Sequence, residues 1–260
     1  MAHAAQWVPL SQEHHGGLMW QRYTAYHFAR HTAYVSLAEP ELRFAAACFP
    51  IGLIKGSDGW QAVALLGLDG ANNLIIDSEG RWRATYVPAA LRSHPFGLHR
   101  DFPDTLCIDQ RSPCVVERLD AEPFFNQQGG LASFPKQVLN FLQQREKGCQ
   151  RVAQQLQTLA NAHLLTPWQP KVYQGSTPLY QIDERAWQAL TTEQIGLFWQ
   201  LGAVPLVYAQ LQSQLQLGIL SAYQRRRATA APPPEPTPSP LAEWQEALSS
   251  EEHYQWPDPS

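Results

Sequence analysis

Residues Trp60 to Phe96 read WQAVALLGLDGANNLIIDSEGRWRATYVPAALRSHPF, and the fold is read outward from them. Trp60 to Leu68 is an almost unbroken apolar run, which predicts a strand covered on both faces. Asp69-Gly70-Ala71-Asn72-Asn73 is a turn, because these residue types tolerate positive φ or bond back to their own backbone. Leu74 to Asp77 predicts a second strand, and Ser78-Glu79-Gly80 a tight hairpin. From Arg81 the chain alternates, with Arg81, Arg83 and Thr85 on one side and Trp82, Ala84 and Tyr86 on the other, the pattern of a half-buried strand. Pro88 suits the first position of a helix, where its missing N–H is no loss.

Upstream, Trp7 to Leu10 predicts a short extended start, Trp20 to Tyr34 an irregular or partly helical wrapping segment and Glu41 to Cys48 a short helix stopped by Phe49-Pro50. Ile51 to Lys55 predicts a strand, joined by Gly56-Ser57-Asp58-Gly59 to the one that follows. Turns that short permit only an antiparallel connection, so these four strands should form a meander. Downstream, Thr105–Asp109 and Cys114–Arg118 predict two more strands. Ser133 to about His163 has apolar residues at three- and four-residue steps, a long helix with a kink or break expected at Gly148 and His163 expected in the core. Leu179–Ile182 predicts a strand. Asp183 caps one helix, Thr191 with Gln194 forms a capping box for the next, and Pro205 opens a last, oily one. The expected architecture is α+β: an antiparallel meander of about six strands with C-terminal helices packed on it, plus a disordered proline-rich tail.

The tail divides further. Residues 1–227 are expected to form the globular domain, 228–240 a proline-rich linker and 241–260 an acidic, aromatic docking tail. Leu241, Trp244 and Leu248 fall on one helical face, and Tyr254 and Trp256 follow. Large apolar side chains in a segment too short to fold alone are anchors for a groove on another protein, so a protein partner is expected through this tail.

Charge and composition exclude several classes. Net charge is −4, but residues 228–260 hold six acids and no Lys or Arg, leaving 19 basic against 17 acidic residues in the body. Without a basic stripe, nucleic-acid binding is not expected. Cys48, Cys107, Cys114 and Cys149 make no C-x-x-C pair, so free thiols are expected. No membrane span is expected, since the oiliest stretch, 195–211, is broken by Gln200, Gly202, Pro205 and Gln210. The N-terminus lacks the pattern of a classical signal peptide, which favours a cytoplasmic location with leaderless export as the other route.

The sequence resembles the bacterial SapC family. The segments that carry the likeness include Trp7-Val8-Pro9-Leu10, Phe49-Pro50-Ile51, Leu65-Leu66-Gly67-Leu68, Gly80-Arg81-Trp82, Tyr86-Val87-Pro88-Ala89-Ala90-Leu91-Arg92, His94-Pro95-Phe96, Leu106-Cys107-Ile108-Asp109, Tyr180-Gln181-Ile182-Asp183-Glu184 and Tyr208-Ala209-Gln210-Leu211, in an order spanning about residues 6–220. The resemblance implies a link to bacterial surface-layer proteins or, from another label, to peptide transport. It also implies gene neighbours that encode cupin-like hydroxylases, flavin-dependent halogenases and outer-membrane receptors. It supplies no catalytic residues.

Candidate chemistry is sparse. Arg81, Arg83 and Arg92 are candidates for a cleft that binds an anionic group, or else for a solvated strand face. His94, His99 and Asp101, with Asp104 nearby, contain the residue types of a two-histidine, one-carboxylate iron site. His27 and His31 have one-face helical spacing but no third ligand. No phosphate loop and no Gly-x-Ser-x-Gly elbow occurs. The expected function is therefore a non-enzymatic binding or accessory protein with no cofactor, which recognises a polypeptide or cell-surface component and docks a second protein by its tail. The alternative is a metal-dependent, non-haem iron oxygenase or a helper subunit of a peptide-modifying enzyme.

Overall fold

The computed structural model describes residues 6–118 and 120–230. The chain divides into a unit Met1–Gln224 and a unit Arg225–Ser260. In order, the elements begin with β1 (Trp7–Pro9), α1 (Gln12–His15), β2 (Met19–Trp20), β3 (Tyr34–Ser36), α2 (Leu42–Ala46), β4 (Ile51–Gly56), β5 (Gly59–Leu65) and α3 (Ala89–Arg92). Then come β6 (Phe96–Leu98), β7 (Leu106–Asp109), β8 (Val115–Val116), β9 (Glu122–Pro123), α4 (Ser133–Asn161), β10 (Leu165–Trp168), β11 (Leu179–Ile182), α5 (Glu184–Gln188), α6 (Thr192–Gln200), α7 (Ala203–Ser213) and α8 (Leu217–Ala230). The fold is α+β with antiparallel sheets and C-terminal helices.

The main sheet has the order β10-β11-β4-β5-β3. The β4–β5 hairpin is its centre, closed by Gly59 at φ +104°. All of Val63, Ala64 and Leu65 are fully covered, as a two-sided strand requires. The expected continuation of the meander is not present. Residues 74–77 and 81–87 are not strands, and only an isolated bridge, Ile76 to Trp82, joins them. Side chains occupy the backbone groups that a ladder would use. Asp77 Oδ1 accepts the Glu79 and Arg81 N–H groups, Asn73 Oδ1 accepts Ile75 N–H, and Trp82 Nε1 donates to the Tyr86 carbonyl. The places beside β5 and β4 go instead to β3, which begins at the last residue of the segment read as irregular, and to β11.

Two small sheets, β1-β7-β6 and β8-β2-β9, enclose a second core around Trp20, Phe96, Ile108 and Phe124. Helix α4 serves both cores: Val138 and Leu142 pack in the small one, Val152, Leu156 and Leu159 in the large one. It is continuous over 29 residues. Gly148 does not break it; a Cβ there would lie 2.9 Å from Ala38 Cβ and 3.2 Å from Pro40 Cδ, so the glycine admits a neighbouring segment. His163 is exposed rather than in the core, with φ 57° just past the helix end. The four cysteines are free thiols.

The β11–β4 junction has a single register pair, Tyr180 to Leu53, and α7 completes it. Gln210 donates Nε2 to the Ile51 carbonyl at 3.2 Å and accepts Ile182 N–H at 3.1 Å. Ser213 Oγ accepts Ile51 N–H at 2.9 Å. Both side chains are fully buried, so nothing replaces them. Gln210→Leu should cost about 2–4 kcal/mol, by leaving a buried donor and acceptor unpaired. Urea titration should show a lower midpoint at an unchanged slope.

In the second unit, α8 ends at Ala230 with Arg225, Arg226 and Arg227 exposed, and Thr229 Oγ1 donates to the Arg225 and Arg226 carbonyls. No helix among the described residues is long and apolar enough to cross a membrane.

Candidate functional site

The site is built on Glu41. It lies just before α2, is 4% exposed, and accepts three hydrogen bonds. Oε1 takes Ala38 N–H at 2.9 Å, the backbone half of a capping box. Oε2 takes the Tyr86 hydroxyl at 2.9 Å and Ala89 N–H at 2.8 Å. The carboxylate thus ties the start of α2 to the Tyr86–Arg92 segment. Burial, and then the charge of Glu41, push the Tyr86 phenol well above its ordinary range, so it stays a donor.

Around this anchor lies a groove of about 500 Å³, walled by Pro40, Phe44, Tyr86, Ala89 and Phe141. Phe44 stacks on Tyr86 with centroids 5.7 Å apart. Two guanidinium groups flank the groove. Arg92 stands over Tyr86 and Phe141, at 5.8 and 5.4 Å from their centroids. Arg145, from α4, donates through Nη2 to the Ser36 carbonyl and hydroxyl, while its Nε is buried without a partner. Among the described residues neither arginine is in an ion pair with a carboxylate. An apolar slot with two guanidiniums and one buried carboxylate, Glu41, whose oxygens are already taken, suits an apolar group that carries an anion.

The three arginines named from the sequence do not share a cleft. Arg81 and Arg83 both reach Asp77, at 3.2 and 3.7 Å, and Arg81 also pairs with Glu79. Chiefly because the Arg81 N–H bonds it, the Asp77 carboxyl is held below its usual range. Arg92 alone reaches the groove. The other groove residues Glu41, Phe44, Phe141 and Arg145 come from distant parts of the chain; Tyr86 and Ala89 lie in the same segment as Arg92, which the family resemblance marked.

The histidines do not assemble either. His94 lies flat on Phe28, centroids 3.8 Å apart and planes 3° apart, with Nε2 at 2.9 Å from Ser112 Oγ. Burial lowers its pKa to about 4, against the opposing pull of Asp109. His99 Nδ1 accepts Asp101 N–H at 3.2 Å, and Asp104 Oδ1 accepts from Gln143 at 2.8 Å. Among the described residues no three His, Cys, Asp or Glu side chains are grouped to hold a metal ion. His27 and His31 line one cavity but lie around a short 3₁₀ turn, His27–Ala29, rather than on one helix face. The tail residues Leu241, Trp244, Leu248, Tyr254 and Trp256 lie outside the described residues.

The molecule is thus an α+β protein with an aromatic groove between two arginines that make no ion pair among the described residues. It belongs to the SapC family: the SapC family model matches residues 10–220. No curated protein and no solved structure matches the chain.

Proposed function

We propose that the protein is a non-enzymatic binding or accessory protein that recognises a polypeptide, one apolar side chain of which enters the Phe44–Tyr86–Phe141 groove with a carboxylate beside it. The observation that carries this reading is the placement of Arg92 and Arg145, without carboxylate partners, against an apolar slot. A ligand carboxylate would pair with the two guanidiniums, which Glu41 does not reach, and an aromatic or branched side chain would supply the missing apolar cover. The family link to cell-surface components supports a polypeptide ligand of that origin.

The test uses a capped hexapeptide ending in Leu-Phe with a free carboxylate, and the same peptide amidated. The acid should bind at least about tenfold more tightly, the value of a charge-assisted hydrogen bond. Arg92→Ala should remove that preference at a stability cost of no more than about 1–2 kcal/mol, the value of its exposed contacts with Tyr86 and Phe141. Equal affinity for acid and amide would refute the assignment. The tail is proposed as a separate docking element for a second protein: deleting 228–260 should leave folding intact and abolish capture of one partner.

A further inference from the structure

Seven of the eleven large apolar side chains exposed among the described residues lie between Ile195 and Ile219. No charged residue stands between Glu193 and Arg225. Surface that faces water ordinarily carries charge. Loss of charge together with exposed Trp, Tyr and Leu is the composition of an interface core.

The helices set this surface out as a stripe. Helix α7 turns Leu206, Ala209, Gln210 and Ser213 inward. A 3₁₀ turn, Gln214–Gln216, joins it to α8, and Ser213, Gln214 and Leu217 keep right-handed helical backbone through the junction. Along this run Pro205, Tyr208, Gln212, Leu215 and Ile219 are exposed, at steps of three and four residues. That is the spacing of a coiled-coil seam, the line of side chains that one helix offers to another. Leu215 is 82% exposed, Ile219 52% and Tyr208 50%. Trp187 is edge-on to Tyr208 and tilted against Phe198, which sets α6 beside the stripe. Leu197 and Trp199 of α6 are exposed as well.

Charge and area say what covers the stripe. A twofold pairing lays a patch against its own copy, so charges of one sign on it would repel. This patch has none. Its polar members, Tyr208 and Gln212, each donate and accept hydrogen bonds, so like can meet like without an unpaired group. A half-exposed side chain of this size offers on the order of 100 Å², so the seven together approach the roughly 800 Å² that each partner gives to a standard interface.

We propose that the stripe from Pro205 to Ile219 is a dimer interface, which receives the same stripe of a second copy of this chain. None of its residues lines the groove, so the two surfaces are separate.

Sedimentation velocity of the full chain tests this. A dimer should form in the micromolar range. Leu215→Glu should weaken it at least about a hundredfold, because each dimer loses two buried leucines. Leu215 is too exposed in the single copy for that change to disturb folding, and circular dichroism should be unaltered. Tyr208→Glu should weaken the dimer too. Phe102→Glu, at an exposed apolar residue between β6 and β7, should leave it intact. A chain that stays monomeric at about 100 µM, enough to saturate any micromolar complex, would overturn the proposal. So would a dimer that Leu215→Glu leaves intact, or one that Phe102→Glu dissolves equally. A chain that is monomeric whole but dimeric once 228–260 is deleted would assign the stripe to the tail, and would overturn it as well.

Discussion

Glu41→Ala should lower the stability of the protein by about 3–5 kcal/mol, the range seen when one member of a buried charged hydrogen-bond set is removed. The loss has three sources. Ala38 N–H, Ala89 N–H and the Tyr86 hydroxyl all lose their acceptor, and the site is too well covered for water to replace it. For a body of this size that corresponds to a fall in melting temperature of roughly 10 °C. Glu41→Gln should fall in between, because an amide still accepts at one oxygen but turns an N–H₂ toward donors at the other. Differential scanning calorimetry of the three proteins decides it. A loss below 1 kcal/mol for the alanine variant would mean that the Tyr86–Arg92 segment is held by apolar packing alone. The same substitution should also spoil the groove, since Tyr86 forms its wall and stands under Arg92.

Acidification should destabilise the protein between pH 6.5 and 4, and His94 should account for most of the change there. Burial depresses its folded pKa from 6.5 to about 4. The unfolded chain therefore takes up a proton near pH 6.5, while the folded chain does not until about pH 4. Stability that is fully present above 6.5 is lost as pH falls through this window, and His94 contributes no further loss below it. At about 1.4 kcal/mol per pKa unit the full effect is at most about 3.5 kcal/mol, less what the exposed part of the ring loses to solvent screening. His94→Gln removes the titration, so unfolding free energies across this range should be flatter in the variant, whatever its stability at pH 7. Parallel slopes for the two proteins would show that the ring protonates in place. Below pH 4 the depressed carboxyls of Asp77 and Asp69 take over, chiefly Asp77 through its Arg81 N–H and Asp69 through its bonds to Asn72.

The local signals in the chain were readable wherever one short segment settles its own conformation. The β4–β5 hairpin follows from an apolar run beside Gly56-Ser57-Asp58-Gly59, the α6 cap from Thr191 and Gln194, and the length of α4 from its three- and four-residue apolar repeat. The family, too, was visible in the order of short segments, and its model spans residues 10–220. Alternation from Arg81 to Tyr86 misled, because it reports only which side chains are wet. It does not say whether the backbone pairs with a neighbouring strand or with Asp77, Asn73 and Trp82.

By itself, then, the sequence determined the α+β class, the central hairpin, the long helix α4 and the Asp183 and Thr191 caps, since each depends on residues a few positions apart. It did not show that the last oily helix starts at Ala203 rather than Pro205 and is interrupted before Leu217. Only the tertiary structure decided which strands flank that hairpin, and that Arg92 faces a groove while Arg81 and Arg83 close on Asp77. It also decided that Glu41 anchors Tyr86, 45 residues away, and that Arg145 reaches Ser36 across 109. The reason is physical: such a site is a meeting of buried polar atoms whose partners are chosen by chain packing, and spacing along the chain carries no trace of that choice.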